Sequence, residues 1–132
     1  MPTGTNLVAA KYQEGEEHTF VGKFTAASSV AGGTAIEFDN ALPNVNGVTI
    51  LDGSVNFTGT VAGNGIHGTS SDDNGIIESA AVTVPGALAT GNGDLIGTTT
   101  TDTQVVFETS GTINSGAEVF VKVRYGCGDL TQ

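Results

Sequence analysis

Residues 117–127 read AEVFVKVRYGC, and the alternation inside them decides the fold class. From Glu118 to Tyr125, the side chains of Val119, Val121, Val123 and Tyr125 share one face, while Glu118, Phe120, Lys122 and Arg124 share the other. A period of two is that of a half-buried strand, because successive side chains of an extended backbone point to opposite sides of a sheet. The apolar face needs a core to bury it. The opposite face holds Lys122 and Arg124, two of the four basic residues in a chain of formal net charge −10. Cations on an otherwise apolar β segment are expected to guard an edge strand against promiscuous pairing. In a second reading, the positive spot orients a neighbouring subunit through that subunit's acidic patch.

Outward from this strand, Gln104 to Thr109 reads as its partner across a Gly/Asn/Ser-rich connection, which predicts a hairpin. Further upstream, HTFVGKFTA (residues 18–26) sets Phe20, Gly22 and Phe24 against Thr19, Val21 and Lys23, and TAIEF (34–38) continues the pattern. In NGVTILDGSVNFTGTV (46–61), the dipeptide Asp52-Gly53 sits between Val48/Ile50 and Val55/Phe57 and predicts a tight hairpin turn. IIESAAVTVPG (76–86) reads as a strand ended by Pro85, which cannot donate to a central ladder. The expected fold is all-β: a compact sandwich, jelly roll or small barrel of about seven to nine short strands.

Composition agrees. The chain has 132 residues with 20 Gly, 6 Phe, 2 Tyr and no Trp, and no window shows a helical period. At this length one domain is expected, burying roughly 65% of the surface an unfolded chain exposes. The acidic balance argues against nucleic acid, since four cations cannot build an extended phosphate-binding face. It equally disfavours an anionic membrane surface. No apolar run is long enough for a spanning helix. The opening MPTGTNLVAA lacks a basic n-region followed by an apolar h-region, so synthesis and retention in a cytoplasm are expected. One cysteine excludes an internal disulfide. Strong negative charge suits a protein that stays soluble at high concentration or docks on a basic surface.

Candidate chemistry is sparse. SSDDNG (70–75) reads as a solvated loop, with Asp72 and Asp73 as a less favoured calcium site, because the spacing lacks the alternate-residue pattern of an EF-hand. His67 stands near Ser70, Ser71, Asp72 and Asp73, so a Ser/His/Asp set can be written. No strained nucleophile turn accompanies it, and the expected role is that of a loop histidine. Cys127, between Gly126 and Gly128, reads as a small residue ending a strand, and GNGD lacks the Lys of a P-loop. No catalytic residue, metal or cofactor is therefore expected.

Residues 1–13, with Leu7, Val8 and Tyr12, read as an extended arm before a single β domain at 14–132, able to add to a neighbour's sheet edge. The adjoining EGEEH concentrates Glu14, Glu16 and Glu17, which suit a basic docking surface. The expected partner-binding set is thus Leu7, Val8, Tyr12, Glu14, Glu16 and Glu17, with Lys122 and Arg124. On this reading, deleting residues 1–13 leaves the β body folded but weakens association by about tenfold or more.

The stretch KYQEGEEHTF (11–20) and the acidic, Gly/Thr/Ala/Asn-rich composition resemble the small head-decoration (cement) proteins of tailed bacteriophages. The resemblance implies a β domain on the virion surface that clusters, often as trimers, and stiffens the shell by bridging capsomers. Its partner would be the major capsid protein or another virion protein. No functional residue transfers from it. A tail or fibre module with receptor or glycan binding shares the same features, although exposed aromatics for sugar stacking are poorly supplied. A small hydrolase using His67 is the remaining alternative.

Overall fold

The alternation of residues 118–125 is realised: Val119, Val121, Val123 and Tyr125 are completely buried, and their strand runs on to Cys127. The computed structural model describes residues 3–8, 10, 16–43, 47–81 and 89–127. Within them the strands are β1 (Thr5–Val8), β2 (Glu17–Thr25), β3 (Ile36–Phe38), β4 (Val48–Thr58), β5 (Asn64–Thr69), β6 (Asp72–Ala81), β7 (Ala89–Thr90), β8 (Thr99–Thr100), β9 (Val105–Thr109) and β10 (Glu118–Cys127). They form two antiparallel sheets, one ordered β1-β2-β10-β4-β7 with β8 also on β4, the other β3-β9-β5-β6. The sheets pack as a sandwich. Phe20 of the first meets Phe38 of the second edge-on, with ring centroids 6.0 Å apart. Ile36, Phe57, Ile76, Phe107 and Ile113 fill the layer between them. Gly22 is part of this fit, since a Cβ there would lie 2.6 Å from the Phe38 ring.

Three local expectations are corrected. First, β10 is no edge strand. It pairs with β2 along Glu118–Gly126 and with β4 along Glu118–Cys127. Lys122 and Arg124 therefore cannot guard an open ladder, because every backbone group beside them already faces a neighbouring strand. Second, β9 and β10 are not a hairpin but lie in different sheets. Residues 110–117 cross between the sheets, and Ile113 ties the crossing to Val30 through bonds of 2.8 and 2.9 Å. Third, Asp52-Gly53 is not a turn. β4 runs straight through it, and its register with β10 slips between the Arg124–Asp52 and Tyr125–Ile50 pairs, leaving Leu51 as the extra residue of a β-bulge. The bulge moves the inward set from Val48 and Ile50 to Gly53, Val55 and Phe57.

The predicted loop SSDDNG is also reassigned. Only Ser70 and Ser71 turn, while Asp72–Gly75 open strand β6. Asp102 holds this turn by accepting from the Ser71 amide at 3.1 Å and from the Ser71 hydroxyl. Burial pushes the Asp102 carboxyl up, but hydrogen bonds led by the one from the Ser71 hydroxyl outweigh it and hold the group below the ordinary carboxylate value. The stretch 91–97 stitches the sheets along one side: the amides of Asn92 and Gly93 donate to Ile76 O, and that of Gly97 donates to Ile50 O at 2.6 Å.

The described part of the expected arm belongs to the domain. Thr5–Val8 pair with β2 of the same chain, the Gly4 amide donates to Glu37 O at 2.7 Å, and Asn6 Nδ2 donates to Asp39 O at 2.8 Å. An extended segment joins whichever open edge lies nearest, and here that edge is β2. Removing residues 1–8 is therefore expected to cost the domain about 2 kcal/mol, the sum of a few net hydrogen bonds. Urea denaturation of the truncated and full chains checks this, and equal midpoints would return the segment to the status of a free arm.

Candidate partner-binding face

Because Val119, Val121, Val123 and Tyr125 point into the core, Glu118, Phe120, Lys122 and Arg124 point out of the six-stranded sheet. Antiparallel register then fixes their neighbours. Phe120 lies between Lys23 and Asn56, Lys122 between Val21 and Ser54, and Arg124 between Thr19 and Asp52. Lys23, Lys122 and Arg124, three of the four cations in the sequence, thus share one face, and Lys11 lies outside the described residues.

Two of these cations are engaged on the face itself. Lys23 Nζ is 2.8 Å from Glu118 Oε2 and 5.8 Å from the centroid of the Phe120 ring. The Lys23 hydrogen bond, together with its charge, holds the Glu118 carboxyl below its ordinary value. Thr58 Oγ1 adds a hydrogen bond to Glu118 Oε1 at 3.2 Å. Arg124 Nη1 reaches Glu17 Oε2 at 3.5 Å. Lys122 has no ion-pair partner among the described residues. It borders a shallow concavity of about 250 Å³ lined also by Thr19, Asp52, Gly53, Ser54 and Arg124.

Charge is partitioned. On this face Lys23, Lys122 and Arg124 balance Glu17, Asp52 and Glu118. Elsewhere the described surface carries carboxylates with no cation among them. Glu37 and Glu108, turned outward from the four-stranded sheet between buried neighbours, are examples.

Of the expected partner-binding residues, the structure brings Glu17, Lys122 and Arg124 together on this face. Val8 is paired with Val21 at its β1 side, and Leu7 next to it is 53% exposed. Glu16 precedes β2, where its carbonyl accepts from the Cys127 amide at 3.2 Å. Tyr12 and Glu14 lie outside the described residues. Sequence reasoning missed Lys23, Asp52, Glu118 and Phe120 as parts of one surface. The parity of each strand was readable, but which strands lie side by side was not.

His67 is the other correction. It is no loop residue but wholly buried on β5, with Nδ1 2.9 Å from Val106 O, so the neutral ring donates there. Nε2 is turned toward the Lys122 carbonyl without closing a hydrogen bond. Burial lowers its pKa to about 4, against the opposing pull of the two carbonyls. Ser70 and Ser71 stay exposed at the turn, so the residues of the written Ser/His/Asp set are divided between core and surface. Among the described residues no group of three or more His, Cys, Asp or Glu side chains is placed to hold a metal ion. Cys127 ends β10 with its side chain buried.

Comparison with family models, with curated proteins and with solved structures gives no match to this chain.

Proposed function

We propose that the protein is a virion structural component, a capsid decoration or cement protein that binds the outer shell and stiffens it by bridging capsomers. The observation that supports this is the charge-balanced outer face of the six-stranded sheet on an otherwise acidic domain. A face of paired charges, hydroxyls and the half-buried Phe120 suits protein docking, where complementarity sets orientation. It does not suit a phosphate backbone, which needs an excess of cations. The two-sheet body, with its sheets joined by residues 110–117 and by the hydrogen bonds of 91–97, suits a clamp between neighbouring subunits.

The competing readings draw less support. A hydrolase would need His67 in reach of solvent, and its ring lies in the core. A glycan-binding module would need exposed aromatic platforms; the chain has no Trp, and Tyr125 is buried. The test is localisation: antibodies against the purified domain are expected to label the outside of intact shells of the virus that encodes it, in many copies per particle. Label confined to tail structures would move the assignment to a tail or fibre module. Virions free of the protein would overturn the structural reading altogether.

A further inference from the structure

We infer that the outer face of β2, β10 and β4 is a self-association surface whose occupant is the same face of a second copy of this chain. The argument begins with repulsion. Two copies of a domain of formal net charge −10 repel each other over most orientations, and they do so most where carboxylates stand without cations. The outer face of the four-stranded sheet, with Glu37 and Glu108, is such a place. The six-stranded face is the exception, because every described cation lies on it and its charges of both signs cancel. Approach through this face alone avoids the like-charge penalty.

The face is also self-complementary. In a two-fold contact, residue i of one copy meets residue j of the other and j meets i, so an interface needs both members of each pair on one surface. Here Lys122 and the Asp52 carboxylate, neither of them in an ion pair within its own chain among the described residues, supply that pairing. The hydroxyls of Thr19, Ser54 and Thr58, with Val21 and Phe120, supply hydrogen bonds and some apolar contact.

Size sets the strength. The three strands, of nine to eleven residues, extend about 30 Å and together span roughly 14 Å, giving a face of about 400 Å². That is about half of the roughly 800 Å² per partner of a standard stable interface, so the association expected is weak and reversible. The surface could serve a decoration protein, but it is defined without reference to any shell, and the isolated chain suffices to test it.

Sedimentation equilibrium of the full chain at low salt is expected to show reversible association that weakens as ionic strength rises. The Lys122→Glu substitution should raise the dissociation constant at least tenfold. A variant exchanging charges between Lys122 and Asp52 (K122E/D52K) should recover much of the loss. The control Glu108→Lys, on the other sheet's outer face, should weaken association by less than twofold. A chain that stays monomeric at ~100 μM in low salt would overturn the inference, and so would association that Lys122→Glu leaves unchanged. Failure of self-association would leave labelling of virions as a separate question, and failure of labelling would leave this surface standing.

Discussion

Gly53→Val is expected to destabilise the domain by about 3 kcal/mol, at the upper end of what overpacking a tight core usually costs. A Cβ at Gly53 would fall inside contact distance of Ile76 Cγ2 on the opposite sheet, 3.3 Å from Lys122 O and 3.6 Å from His67 Cδ2. None of these can move aside freely: Ile76 and His67 are buried, and the Lys122 carbonyl belongs to a central strand. The φ angle at Gly53 is not positive, so the glycine is there for close approach and not for turn geometry. Gly53→Asn separates the two readings. A hairpin-turn position accepts Asn readily, whereas this position should reject it as it rejects valine. Adding Ile76→Ala to Gly53→Val should restore more than 1 kcal/mol relative to additivity, because the new side chain gains the vacated space. Chemical denaturation measures all three, and a Gly53→Asn variant as stable as the parent would show that the sheets are not in contact there.

Acid should act on the domain through His67. Its folded pKa of about 4 lies below the ordinary imidazole value of 6.5, so at intermediate pH the unfolded chain binds a proton that the folded chain excludes. Stability contributed by the neutral ring is therefore full above about pH 6.5 and falls as the pH drops toward 4. A shift of this size corresponds to roughly 3 kcal/mol, a large share of what a domain of this size has. Glu118 and Asp102, whose carboxyls are held low, add their own loss only in the carboxylate range, as pH falls below their unfolded values of 4.5 and 3.8. The interval from pH 6.5 to 5 thus reports on His67. His67→Gln, able to donate to Val106 O without titrating, is expected to flatten unfolding free energy across that interval. An unchanged slope would mean that the histidine is solvated in the folded state.

Residues 118–125 determined their own strand, its inward face and, with the turn-rich spacing of the other segments, the all-β class. The period of a strand is a local property, since the backbone fixes where each side chain points before any partner is chosen. The composition likewise settled the acidity of the chain. Partnership was not local. Lys122 and Arg124 look the same on an edge strand or a central one, and only the docking of β2 and β4 on either side of β10 decided between them. The change of phase between Ile50 and Val55 is legible in the sequence, yet a turn and a bulge both produce it; the contact of Gly53 with Ile76 across the sandwich selects the bulge. His67 shows the same limit in the other direction. Its polar, glycine-rich neighbours describe a loop, but the Val106 carbonyl that accepts its proton and the space above Gly53 come from distant strands. The single face that gathers Lys23, Lys122 and Arg124 therefore exists only once the sheet is assembled, because register between strands is set by the packing of the whole core.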